Sequence, residues 1–235
     1  MSKVVCLCPT YGRHPSMIQN TLAMFLAQDY QDKYLLILDD QGNYPEQKGD
    51  NWALLSTSTR FPSLGEKYMH MLKVMPTAWN YFALWDDDDL YLPWHLSQGV
   101  EAASKNKDGW SKCGKIWTTY DKPDGTYWLE ENTKGRFHGT LVVSRGAMGH
   151  VGYWSTASSF DLQFISDLTK HQEPELTCPS YLYRWQDTHA RHSSSVEYSK
   201  HQPQYRKPVS VIAPVFDDLT YELYTKLIQE PRCPN

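Results

Sequence analysis

No apolar run in this 235-residue sequence reaches the roughly 18–20 residues needed to span a bilayer. A secretory leader is not expected either. Residues 2–13 pass directly into a strand-like stretch, without the long apolar segment and cleavage site of such a signal. The five cysteines make no disulfide framework: Cys6, Cys8, Cys113, Cys178 and Cys233 are odd in number and scattered, and Cys6-Leu7-Cys8 lacks zinc-knuckle spacing. Nor is there an excess of positive charge. Lys and Arg total 23 against 27 Asp and Glu, a net charge of −4, which disfavours a globally basic nucleic-acid binder. These absences lead to the expectation of a reduced, cytoplasmic protein without a membrane span. Aromatic residues, by contrast, are plentiful. The 9 Trp, 16 Tyr and 7 Phe supply far more buriable surface than a disordered chain carries, and the length suits a single domain with a sizeable core.

The order of elements predicts an α/β fold. Val4 to Cys8 is a continuous apolar run closed by Pro9, the pattern of a strand covered on both faces. Pro15 suits a first helical turn, and Met17, Ile18, Leu22, Phe25 and Leu26 recur at helical spacing up to about Gln28. Tyr34–Leu38 reads as a second strand, residues 41–50 as a polar loop and Trp52–Leu55 as a short third strand. Ser63 and Glu66 form a capping-box pattern at the start of a helix to Met75, and Tyr81–Trp85 is a further buried strand. Pro93 opens a helix to about Lys105. Beyond Lys107 the pieces are shorter and richer in aromatics. Lys115–Tyr120 and Thr126–Glu130 read as a hairpin turning at Asp124-Gly125, and Phe137–Val143 as a strand. Ser159–Leu168 and Leu219–Ile228 read as helices. Ligands of such a sheet sit at the carboxyl ends of its strands.

The strand at 81–85 runs straight into Asp86-Asp87-Asp88-Asp89. Four consecutive carboxylates repel one another, and a compensating charge is expected at a strand end; a divalent cation held by oxygen ligands, Mg²⁺ or Mn²⁺, is the expected source. An EF-hand calcium loop does not fit, because the sixth and twelfth positions from Asp86 are Tyr91 and Ser97 instead of Gly and Glu.

Several segments together resemble the family 2 glycosyltransferases of the GT-A fold. Residues 86–93, with Pro93 at the end, fit that family's D-x-D-D-x-x-x-P pattern. Residues 4–13 are similar to its first strand, V-S-V-I-I-P-T-Y-N-R; Leu38-Asp39-Asp40 resembles its V-D-D; and residues 62–67 resemble a helix start that usually reads G-x-x-x-A-R/K-N. The second half matches more loosely, through Val151-Gly152-Tyr153-Trp154, Phe160-Asp161 (where the family has E-D) and Tyr183-Arg184-Trp185 with His189 and His192.

The resemblance implies a Rossmann-like mixed sheet flanked by helices in one GT-A domain over 1–235. Residues 1–93 would form a nucleotide-sugar-binding half, and 94–235 a smaller, aromatic-rich acceptor half. It implies that Pro9, Thr10, Tyr11, Arg13, Asp39, Asp40, Lys67, Asp86 and Asp87 meet the nucleotide sugar, with Asp40 favoured over Asp39 for the base and Lys67 near the diphosphate. Asp88 would ligate Mn²⁺ or Mg²⁺, with His192 (or His189) completing the metal shell. Asp161 would be the catalytic base, and Gly139 and Trp154 would lie at the acceptor side. The implied activity is metal-dependent, inverting transfer of a sugar from a nucleotide sugar, a UDP-sugar by analogy, to the hydroxyl of a glycan, lipid, protein or hydroxylated DNA base. Modified DNA is disfavoured by the net charge, though Lys200, His201, Tyr205, Arg206 and Lys207 offer a local basic and aromatic patch. Two other readings stay open: a nucleotidyltransferase making activated sugars, and a catalytically silent binding module, which the Phe160 departure keeps in play.

Overall fold

Alternate residues of the first strand face two different cores, which is why its sequence is apolar without a break. In this computed structural model, which describes residues 2–120, 127–131, 137–151, 160–170, 173–185 and 213–230, β1 (Val4–Thr10) is central. Val4, Cys6 and Cys8 pack into a layer with α1 (Pro15–Leu26), α3 (His95–Lys105) and α5 (Asp218–Gln229). Val5 and Leu7 pack into a second layer with α2 (Leu64–Val74) and α4 (Phe160–Thr169). Each such apolar side chain, fully buried, contributes about 1.5–3 kcal/mol. The strand continues through Pro9 to Thr10, two residues beyond its expected end, with Thr10 opposite Asp39 of the neighbouring strand.

Among the described residues the main sheet has eight strands. In spatial order they are β11 (Glu175–Thr177), β7 (Trp110–Cys113), β10 (Val142–Ser144), β5 (Tyr81–Leu84), β1, β2 (Lys33–Asp39), β4 (Trp52–Ser56) and β3 (Gln47–Lys48). β5, β1, β2 and β4 run parallel, so their carboxyl ends share one edge, whereas β10 is antiparallel to both β5 and β7. The sheet thus draws strands from both sides of residue 93. A second, four-stranded sheet has the order β6 (Leu90–Tyr91), β12 (Tyr181–Trp185), β8 (Lys115–Tyr120) and β9 (Trp128–Glu131). β8 and β9 pair antiparallel as the hairpin reading expects, while its turn at Asp124-Gly125 lies outside the described residues. Gly114 alone separates β7 from β8, so one stretch of chain serves both sheets.

Helix starts follow their caps. Pro15 occupies the first turn of α1, and the Ser63 hydroxyl accepts the Glu66 N–H at 3.1 Å to open α2. Two expectations fail. The loop at 41–50 contains the short edge strand β3. Residues 137–143 are not a strand: Phe137 takes a left-handed backbone (φ 62°), a single 3₁₀ turn covers His138–Thr140, and only Val142–Ser144 pairs. The cause is close approach, because a Cβ on Gly139 would lie 2.3 Å from Asp86 Oδ2 and 2.9 Å from the Tyr91 hydroxyl. No helix among the described residues is long and apolar enough to cross a membrane.

Candidate functional site

The carboxyl ends of β1, β2 and β5 bring Thr10, Asp39, Asp40 and the acidic tetrad to one edge. Asp39 is fully buried and holds its own loop, accepting the N–H groups of Gln41 (3.1 Å) and Asn43 (2.9 Å) and the Ser56 hydroxyl (3.2 Å). Asp40 accepts the Lys67 ammonium at 2.5 Å and the Phe61 N–H at 3.0 Å. Lys67 also donates to the Thr10 carbonyl at 2.6 Å, and it is only 4% exposed. It is therefore a buried brace between β1, β2 and α2.

The tetrad alternates in and out. Asp87 and Asp89 are buried, whereas Asp86 and Asp88 are half-buried. Part of the counter-charge expected from a metal is present in the chain itself. Arg13, on the loop after β1, donates through Nε to both oxygens of Asp87 (3.0 and 3.1 Å) and through Nη2 to Asp88 Oδ2 at 2.8 Å. Burial works against the guanidinium charge, but Asp87 and Asp88 outweigh it and hold Arg13 protonated more firmly than usual. For Asp87 burial pushes the carboxyl up and Arg13 pulls it back, the upward direction prevailing. Sequence reading placed Arg13 on the nucleotide; its guanidinium is turned inward to the tetrad.

Asp89 is covered by the small sheet. Its Oδ1 accepts the Arg184 N–H at 2.8 Å, and its Oδ2 accepts the Tyr181 hydroxyl. Burial, reinforced by the charges of Asp88 and Asp86, pushes its carboxyl well above the ordinary range. Asp86 is held loosely, with His138 Nε2 3.3 Å from Oδ1 and the Tyr181 hydroxyl 3.4 Å from Oδ2; its N–H donates to the Tyr91 hydroxyl at 2.7 Å. Beneath lies an aromatic floor, in which Trp85 stacks on Tyr91 at 3.8 Å and both meet His95 edge-on. His95 Nδ1 lies 2.8 Å from the Ser180 hydroxyl, and burial lowers the imidazole pKa to about 3. A cavity of about 230 Å³ adjoins the tetrad, lined among others by Met17, Asn20, Asp88, Arg184, Asp217 and Leu219.

Among the described residues no three His, Cys, Asp or Glu side chains converge as a metal site. What the tetrad offers a divalent cation is two partly exposed carboxylates, Asp86 and Asp88, one residue apart. Oδ1 of Asp88 accepts no hydrogen bond among the described residues. That donor set suits an ion completed by phosphate oxygens, the usual situation for Mg²⁺. Gly139, expected at the acceptor side, is brought against Asp86, as the Cβ distance above indicates. Asp161 lies in the first turn of α4, but its side chain is outside the described residues, as are Trp154, His189, His192 and the 200–207 patch. Sequence reading missed Tyr181 and His138, which no local pattern marks. It also missed Arg60, whose Cζ lies 3.8 Å from the ring centroid of Tyr11.

No protein-family model matches the chain. It is 27% identical over 114 residues to the succinoglycan biosynthesis protein ExoW of Rhizobium meliloti (strain 1021), covering 45% of this chain and 35% of ExoW. Its structure is similar to S. aureus TarS 1-349 in complex with UDP-GlcNAc, with a TM-score of 0.54, 14% identity, and coverage of 79% of this chain and 59% of that one. The complex of TarS 1-349 with UDP gives 0.53, 14%, 77% and 60%. The chain therefore spans about a third of ExoW and three fifths of TarS 1-349. With its mixed sheet flanked by helices and its acidic tetrad at the edge of the parallel strands, the chain has a GT-A-like glycosyltransferase fold.

Proposed function

We propose that this chain transfers a sugar from a nucleoside-diphosphate sugar, in the first instance a UDP-sugar, to an acceptor hydroxyl. One observation carries the reading: the alternation of the tetrad, in which Asp87 and Asp89 are buried against protein partners while Asp86 and Asp88, although each also contacts the protein, stay partly exposed at the carboxyl edge of the sheet. TarS 1-349, which shares this fold, is in complex with UDP-GlcNAc and with UDP, and this supports the choice of donor.

In the proposed reaction Asp86 and Asp88 would hold a Mn²⁺ or Mg²⁺ ion, whose charge would stabilise the departing diphosphate. Arg13 keeps the tetrad from repelling itself apart, and the Asp40–Lys67 pair fixes the Thr10 carbonyl and the strand ends that frame the nucleotide. Asp161 takes the proton from the acceptor hydroxyl. The hydroxyl oxygen bonds to the anomeric carbon from the face opposite the diphosphate, and the carbon–oxygen bond to the diphosphate breaks with its electron pair, so the centre inverts. The test is a panel of nucleotide sugars screened by thermal shift with Mn²⁺, followed by transfer assays on the donors that bind. At least one UDP-sugar is expected to raise Tm, and Asp161→Asn to abolish transfer while leaving that shift intact. Near-normal turnover in Asp161→Asn would sink the base assignment. Binding without transfer of any donor would make the chain a silent module.

A further inference from the structure

The cations nearest the strand ends are already committed. Lys67 and Arg13 are buried and paired with Asp40, Asp87 and Asp88. Asp39, Asp40 and the tetrad supply six carboxylates at this edge against those two buried cations. An anionic nucleotide approaching it meets excess negative charge that the buried pairs cannot offset.

Arg60 is different. It is exposed, its Cζ rests 3.8 Å from the Tyr11 ring centroid, and it makes no ion pair among the described residues. The loop that carries it is pinned on both sides: the Thr57 N–H donates to the Asp39 carbonyl at 2.9 Å, and the Phe61 N–H to Asp40 Oδ2 at 3.0 Å. Gly42 (φ 75°) packs so close that a Cβ there would lie 3.1 Å from Ser58 Cα. A long, charged side chain on a pinned loop, laid over an aromatic ring just past the carboxyl end of β1, is preorganised for contact with a ligand at that edge.

We propose that Arg60 is the donor-recognition cation of this site, keeping its guanidinium against Tyr11 and donating to the diphosphate of the nucleotide. The planar fork suits paired phosphate oxygens, and the Tyr11 stack reduces the freedom lost on binding. This inference rests on the nucleotide-sugar reading above. It assigns the phosphate contact to a loop residue that the family-like motifs do not include.

Isothermal titration of the full chain with UDP and with uridine, both in Mg²⁺, tests it. Arg60→Gln is expected to weaken UDP about tenfold or more, the value of a charge-assisted hydrogen bond, while uridine changes less than twofold. Arg60→Lys should fall between, and the ionic-strength dependence of UDP binding should flatten in Arg60→Gln. Because Arg60 is exposed, the variants should melt with the wild type. Equal losses for UDP and uridine would overturn the phosphate contact in favour of base stacking, and unchanged UDP affinity would overturn the inference entirely. If the wild type bound neither UDP nor any UDP-sugar, the nucleotide-sugar reading itself would fall, and this inference with it.

Discussion

The two flanks of the acidic tetrad solve the same electrostatic problem by different means. On the β1 side, Asp87 and Asp88 share one full positive charge, Arg13, placed just beyond the first strand. On the small-sheet side, Asp89 makes no ion pair among the described residues; it is covered by a phenol and a backbone N–H from β12, and its carboxyl is pushed well up. A buried ion pair is costly to break because the surviving charge is stranded. A buried carboxyl whose pKa already stands high can take a proton instead. The first flank is rigid toward substitution, the second forgiving.

Breaking the charged flank should have the largest effect. Arg13→Gln strands Asp87 and is expected to cost about 3–5 kcal/mol in urea unfolding, with Asp87→Asn in the same chain restoring much of it. Gly139→Ala forces a methyl against Asp86 Oδ2 and is expected to cost about 1–3 kcal/mol and to weaken UDP binding in Mg²⁺ by titration. The third measurement probes the floor beneath both flanks. Burial lowers the His95 pKa to about 3, below its unfolded value, so the unfolded chain binds the extra proton and stability falls as pH drops below about 6.5. That contribution is about 2 kcal/mol between pH 7 and pH 5. Asp87 and Asp89, whose pKa values are raised, trend the opposite way, so the readout is the difference in pH slope between wild type and His95→Phe. Tyr181→Phe on the forgiving flank should cost least, about 1 kcal/mol by denaturant titration. A Tyr181→Phe cost equal to that of Arg13→Gln would erase the distinction between the flanks.

The strand–helix core was legible in the sequence because its signals are local. The unbroken run Val4–Cys8, the Ser63–Glu66 cap and the apolar strand running into four acids each sit within a few residues of one another. The second half was harder to read for a physical reason. β7, β11 and β12 are short, and their burial is decided by partners far along the chain, such as Thr177 opposite Cys113 and Leu182 opposite Trp117. Residues 137–143 have strand-like composition, but the close approach of Gly139 to Asp86 overrides it. Within the site, the need for a compensating charge was correctly read from the tetrad, yet Arg13 as one source was not, because nothing in the sequence says that residue 13 reaches residues 87 and 88. Arg60 sits in a polar loop with no periodicity to single it out.

The insertion of β10 between β5 and β7 has a consequence for the growing chain. During synthesis β5 emerges well before Val142–Ser144, so until then it is an open sheet edge, the kind of surface on which nascent chains stick to one another. The acids that follow it directly make that unfinished edge strongly anionic, and like-charged edges on neighbouring polypeptides repel. The same residues that the proposed function sets against a ligand would thus act first as a guard against aggregation.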